Sequence, residues 1–381
     1  MPTNFKNVAV IGIGLGGANV IKALDSSLPE THRMIAICED EYAYFPVASI
    51  RAATVPGWER KATEDARKFL ADGSRHRVLP GTKVLKINDK SVEIDPTHPD
   101  FDAEIYFDVL VYSTGSIYPF PFRPISGQST LKEIRDSLRG FQDGIKNASS
   151  ILIVGGGPTG AEFAGEIAAQ HQGKKITLAH SGNYPLDGGY WKKKAGKNLA
   201  SQLRNFKVTL EPHARVDTKG LANGPITIQT FDLGNGGTAT ADFLITAHGL
   251  KPRSQLMAAF RPDAVDAAGF VKVKPTMQVL TKDGSLDHIF AVGDVNDADI
   301  SKQAVGADSQ GNLAAANIVT YLSSKNSMKL YKSAGPLGVF ALGPAAGVGQ
   351  IYFGLVVGNM LSARIKSKEL FTHEFLETFE H

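Results

Sequence analysis

Cysteine is almost missing from this chain: Cys38 is the only one among 381 residues. That excludes an internal disulfide framework and any redox chemistry needing a cysteine pair within one chain. Net charge is nearly missing too, at +3 with 41 basic and 38 acidic residues, so composition gives no basis for a nucleic-acid partner. The ten histidines are scattered, and no His/Cys cluster has metal-ligand spacing, so no metal site is expected. The opening residues Met1–Lys6 lack the charged-then-apolar pattern of a signal peptide and the arginine-rich pattern of a transit segment. Pro2 stands where myristoylation needs glycine. The expectation is an intracellular protein. Its 43% apolar and 21% charged residues are ordinary for a globular chain, long enough for two or three domains.

What the chain does have is two glycine-rich turns of one kind. Gly12, Gly14, Gly16 and Gly17 follow the apolar run Val8–Ile11, and Gly155, Gly157 and Gly160 follow Ile151–Val154. In each case a short buried strand runs into GxGxxG and then a helical pattern, the context in which this motif holds a dinucleotide. The glycines allow a tight turn, close backbone approach to a pyrophosphate and close helix packing. The pyrophosphate then rests on the unpaired N–H groups of the helix start. Two such units in one chain imply two dinucleotides able to exchange electrons.

The second strand of the first unit, Arg33–Cys38, ends at Glu39. An acid there accepts hydrogen bonds from ribose hydroxyls, although it falls somewhat beyond the usual ~20 residues from the glycines. Val78–Asp95 alternates and reads as a small antiparallel excursion. A further buried strand, Tyr106–Tyr112, exits at Ser113, Thr114 and Gly115. The proline-rich run Tyr118–Pro124 suits a linker between domains. In the second unit the corresponding strand, Lys175–Ala179, meets His180 and Ser181 where an NAD-specific unit usually carries an acid. With no acid to repel a 2′-phosphate and no arginine to bind one, either NADH or NADPH is expected. Asp242–Gly249 is the second strand exit, and Phe270–Val273 with Ile289–Asp294 returns the chain to the first domain.

These motifs, in this order, resemble a two-dinucleotide flavoprotein reductase. Disulfide reductases and sulfide-oxidising flavoproteins share that layout but need the cysteine pair this chain lacks. The closer resemblance is to the ferroptosis-suppressor (apoptosis-inducing-factor-like) quinone reductases, relatives of the type II NADH dehydrogenases. It rests on Ala48–Ala52, Ser113–Pro121, Gly157–Glu166, Gly347–Gln350 and Lys366–Phe371, which span nearly the whole chain. The resemblance implies non-covalent FAD in the first domain, NAD(P)H in the second, and ping-pong hydride transfer to the flavin followed by electron transfer to a quinone. By position it makes Arg51 and Val84 further FAD contacts and Asp294 the acid orienting the flavin's ribityl–pyrophosphate portion. It makes Glu162 the acid beside the nicotinamide and Lys366 a lysine near the flavin and quinone pocket. The bland alternatives are a first-turn acid complementing the helix dipole for Glu162 and a solvated lysine for Lys366. His248 departs from the family's threonine, which leaves Gly249 as the contact there. The family's lipid-anchored N-terminus is not matched, so the expected location is cytoplasmic or peripheral on an organelle membrane (mitochondrion or lipid droplet).

The expected fold is α/β: two Rossmann-like domains, the FAD domain (1–125 and 255–328) interrupted by the NAD(P) domain (126–254), with a C-terminal α+β segment (329–381). From Ser333 to Ala363 no residue is charged. Prolines and glycines break this stretch, so a buried hairpin plus helix, forming a quinone tunnel or a dimer contact, is expected in place of a membrane span. The tail sets Phe371, Phe375 and Phe379 on one helical face, read as homodimer packing, with peripheral membrane contact as the other reading. Two competing functions remain open at this level: reduction of a small electron carrier such as ferredoxin, and NADH sensing with little turnover.

Overall fold

The computed structural model describes residues 5–98, 101–324 and 327–380; Pro2 lies outside them. The first glycine turn is built into a six-stranded sheet ordered Gln278–Thr281, Gly284–Ala291, Val109–Tyr112, Lys6–Ile11, His32–Ile37, Arg77–Leu79. All neighbours run parallel except the outermost pair, 278–281 with 284–291. Parallel strands covered on both faces need uninterrupted apolar side chains. Val8, Ala9, Val10, Leu110 and Val111 accordingly have no solvent exposure.

The second glycine turn sits in a five-stranded sheet ordered Thr209–Glu211, Lys175–Ala179, Ser150–Val154, Thr238–Thr246, Gly224–Asp232. Only the last strand is antiparallel to its neighbour. In both sheets the strand before the glycine turn lies in the middle, where the strand order reverses. That is the crevice in which open α/β sheets bind ligands. Strand Val109–Tyr112 precedes the second sheet and Gly284–Ala291 follows it, yet they pair in the first sheet, so one dinucleotide domain interrupts the other. The two crossings between domains lie side by side as a short antiparallel pair, Ser116–Ile117 with Lys251–Pro252.

The antiparallel excursion is shorter than its alternation suggests. Arg77–Leu79 joins the first sheet in parallel with His32–Ile37, because Leu79 is fully buried there. The excursion is a separate three-stranded sheet, Lys83–Ile87, Ser91–Asp95 and Glu104–Tyr106.

The uncharged C-terminal stretch forms a three-stranded antiparallel sheet, Gly338–Ala341, Gly347–Ile351 and Leu355–Val357. Helix Asn359–Ser362 follows and continues through a wide turn over Ala363–Ser367. Phe340, Leu342, Ala346, Val348 and Leu370 enter the same core as Phe163, Ile167 and Trp191 of the second domain. No helix among the described residues is long and apolar enough to cross a membrane.

The tail departs from the expected outward stripe. Phe375 stacks on Phe45 with ring centroids 4.8 Å apart, and Phe379 meets Phe69 edge-on at 5.3 Å. Both rings are spent inside their own chain, which removes the basis for a dimer or membrane contact through them. Phe371, at the start of the last helix with φ +57°, is separated from the pair.

Candidate functional site

A cavity of about 1280 Å³ opens where the two domains and the C-terminal segment meet. Its floor is the first glycine turn. Gly12 has φ +92°, and a Cβ on it would lie 2.6 Å from the Ser113 carbonyl oxygen. A Cβ on Gly17 would come to 2.1 Å of the Gly12 carbonyl, whereas Gly14 faces open space. Two glycines thus let backbone meet backbone, and a third leaves the backbone bare toward the cavity. Helix Leu15–Asp25 begins there with no side-chain cap, so its first N–H groups remain available to a pyrophosphate. The second turn repeats this construction: Gly155 at φ +123° and Gly160 abut backbone, Gly157 is open, and helix Pro158–Gln170 is uncapped by any side chain. These cradles, which side chains would fill, fit dinucleotides in both units.

Around the first cradle the cavity is lined by Gly12, Gly14, Gly16, Glu39, Val84 and, from the strand exits, Thr114, Gly115 and Asp294. Glu39 lies at the end of the second strand within 3.6 Å of Lys83 and 3.5 Å of Arg253. Asp40 beside it is pushed up to about 7 by burial, then by the Glu39 charge, against the pull of Arg253. Asp294 accepts from Ser116 Oγ at 2.8 Å and from Arg123 Nη2 at 2.7 Å. Arg123 was not legible as a site residue. It sits in the proline-rich linker, and only folding brings that linker onto the returning strand.

At the other end of the cavity, Pro158, Thr159 and Glu162 of the second domain face Val339, Phe340 and Lys366 of the C-terminal segment. Lys366 Nζ donates to Glu162 Oε1 at 2.7 Å and to the Val339 carbonyl at 3.0 Å, and Ala341 N–H donates to the same Glu162 oxygen at 2.8 Å. Lys366 and Glu162 are 15% and 14% exposed, so the pair is neither solvated nor sealed away from the cavity. The two residues singled out separately in the sequence are therefore one unit.

Two expected contacts are corrected. Arg51 does not border the cavity: its guanidinium is consumed by Glu166 (Nε to Oε1 2.7 Å, Nη2 to Oε2 2.9 Å) and by the Lys368 carbonyl, with Trp58 against its face. His180 has a buried ring, packed against Gly156 and held neutral mainly by burial, and both its backbone groups are paired. Ser181 stays exposed at that strand end. Gly155, Gly157, Gly160 and Gly249 belong to the second cradle and its strand exit, and do not border the large cavity. Gly249, at φ +86°, leads to Leu250, which does. Cys38 also lines the cavity, but burial raises its thiol well above the ordinary range and it makes only a weak contact to the Leu79 carbonyl. It is poorly suited to thiolate chemistry. Among the described residues no group of His, Cys, Asp and Glu is arranged to hold a metal.

Two like cradles, a cavity between their domains and an ion pair where the second domain meets the C-terminal segment define an oxidoreductase of two dinucleotides. The chain belongs to the pyridine nucleotide-disulphide oxidoreductase family, whose model matches residues 6–311. Its cofactors are FAD and a pyridine nucleotide. It is 31% identical to apoptosis-inducing factor homolog A of Dictyostelium discoideum, over 99% of this chain and 92% of that protein. It is 26% identical to ferroptosis suppressor protein 1 of Taeniopygia guttata, over 97% and 95%. The solved structure of a sulfide:quinone oxidoreductase from Aquifex aeolicus shares the fold, with a TM-score of 0.74 at 17% identity over 98% of this chain and 91% of that one. The disulphide half of the family's description finds no internal cysteine pair here.

Proposed function

We propose that the protein is an NAD(P)H:quinone oxidoreductase. Bound FAD would supply a ring that takes hydride from the nicotinamide and passes electrons on to the quinone. The observation that carries this reading is the Glu162–Lys366 pair, set where the second cradle's helix meets an apolar wall. Glu162 and the Val339 carbonyl hold Lys366 Nζ in place, so the lysine head group borders the cavity where negative charge develops on reduction. Leu337, Val339, Phe340 and Ile365 wall that end with apolar surface, which suits a flat apolar acceptor better than a protein's charged surface. Arg123 and Ser116 hold the Asp294 carboxylate beside the first cradle, where it can accept from a ribityl hydroxyl.

Purified protein should be yellow and should oxidise NADH or NADPH with a short-chain ubiquinone. Glu162→Gln should keep its flavin and lose roughly a hundredfold in turnover. Turnover with ferredoxin and none with any quinone would replace the acceptor. A stable reduced flavin with no acceptor at all would make the protein a sensor.

A further inference from the structure

Burial along the segment that carries Lys366 does not follow an α-helix. Ser362, Ser367 and Leu370 are buried, while Arg364, Ile365, Lys368 and Glu369 are exposed, so the inward face recurs at i, i+5 and i+8. In an α-helix residues five apart point about 140° away from each other, and both serines could not face inward. In a turn closed by i→i−5 hydrogen bonds they share a face. Lys368 N–H bonds the Ala363 carbonyl at 3.2 Å, which is that closure, and the wide turn spans Ala363–Ser367. Such turns are rare and recur at functional sites, where they re-aim a side chain.

The side chain aimed here is that of Lys366. It lies within the wide turn, and its Nζ reaches Glu162 Oε1 at 2.7 Å and the Val339 carbonyl at 3.0 Å. Wound as α-helix, the same sequence would stack Lys366 on Ser362 as its i+4 neighbour. Lysine would then take the place Ser367 now holds, and its amine would turn from Glu162. Leu370 would also leave the core it shares with Phe340 and Val348.

Only small side chains fit on the inward face. Strand Gly347–Ile351 runs beneath it, and a Cβ on Gly347 would lie 3.1 Å from Ser362 Cβ and 3.1 Å from Ser367 Oγ. The two hydroxyls above it are not equivalent, although neither residue has any exposure. Ser367 Oγ donates to the Ser362 carbonyl at 3.2 Å, bracing the wide turn from end to end. Ser362 Oγ has no partner among the described residues. We propose that Ser367 is a positioning residue, its hydroxyl holding the wide turn in the register that points Lys366 at Glu162. The register stands on this geometry alone; its part in turnover rests on the quinone reading.

The test compares two substitutions of equal size and burial. Ser367→Ala removes the brace, whereas Ser362→Ala removes a hydroxyl that bonds nothing. Reductive methylation of the flavin-loaded protein, read at Lys366 by peptide mass spectrometry, reports whether the amine is held. Lys366 should react at least about fivefold faster in Ser367→Ala than in wild type, because the turn opens more often. With NADH and a short-chain ubiquinone, Ser367→Ala should lose roughly tenfold in kcat while KM for NADH stays unchanged. Ser362→Ala should match wild type in both measurements, with flavin content and melting temperature as folding controls. Should Ser367→Ala not fold, Ser367→Cys takes its place; it keeps a weaker donor and should show the same labelling change in smaller degree. Equal Lys366 labelling in the two alanine variants overturns the positioning role. An equal fall in turnover for both does so too, since it would mark ordinary loss of packing. Faster labelling in Ser367→Ala from a protein that reduces no quinone even as wild type overturns the acceptor and leaves the register in place.

Discussion

Arg51 and Glu166 form a fully buried ion pair, with side chains 2% and 3% exposed and two hydrogen bonds between them. Breaking such a pair from one side strands a charge, which costs about 3–5 kcal/mol. Glu166→Ala should therefore lower stability by that order in urea unfolding, and Arg51→Met with Glu166→Leu should recover much of the loss. Flavin content in the double variant should stay near wild type. An equal loss of flavin and stability would restore Arg51 as a cofactor contact. Sequence alone could not show this pairing, because the partners are 115 residues apart and each sits in an ordinary local context.

Asp40 gives the pH prediction at the same scale. Its folded value, about 7, lies above the ordinary carboxylate value, so the folded state holds the proton more tightly than the unfolded one. Stability from this group is present at acid pH and is lost as pH rises from about 4 toward 7. Asp40→Asn should raise the melting temperature at pH 8 relative to wild type and leave it unchanged at pH 4. A gain of equal size at both values would refute the assignment.

Among the elements, the glycine turns were legible because everything they need is local: strand, turn and helix follow one another within each unit. The C-terminal hairpin and helix were legible as elements, from an uncharged stretch broken by proline and glycine, but not their place in the molecule. The hairpin's strand pairing depends on where it lands, and it lands on the helix bearing Glu162. Gly165 on that helix is the point of contact. A Cβ there would lie 2.3 Å from Leu342 Cδ2 and 2.9 Å from Leu342 Cα, and the latter is backbone that cannot swing aside. Gly165→Ala should push strand Gly338–Ala341 away from the helix, costing about 1–3 kcal/mol. It should also loosen the Ala341 N–H and Lys366 contacts to Glu162, so quinone turnover falls more than flavin content. Unaltered turnover with a normal melting temperature would show that the helix and hairpin tolerate separation.

At the scale of the whole molecule, the C-terminal segment is structural as well as a wall of the cavity. Duplication of the dinucleotide unit could be read from two similar motifs, whereas the residues beyond 330 left a tunnel and a dimer contact both open, since closing the cavity requires contacts to both halves at once. Phe340, Leu342, Val348 and Leu370 complete a core shared with Phe163, Ile167 and Trp191, and Phe375 and Phe379 reach back to Phe45 and Phe69 in the first domain. Removing everything from Ser333 onward would therefore uncover buried aromatic surface and leave Arg51 without its carbonyl partner, Glu162 without Lys366, and two first-domain rings without their packing. The truncated chain should aggregate on expression, and no selective loss of quinone turnover should be measurable from it. Phe340→Ala makes the same point within a foldable protein. It should cost about 3–5 kcal/mol, read as a lowered urea midpoint, with reduction of a small soluble dye falling alongside quinone turnover. A soluble, flavin-loaded truncation that still reduces dye at the wild-type rate would show instead that the two dinucleotide units are complete without this segment.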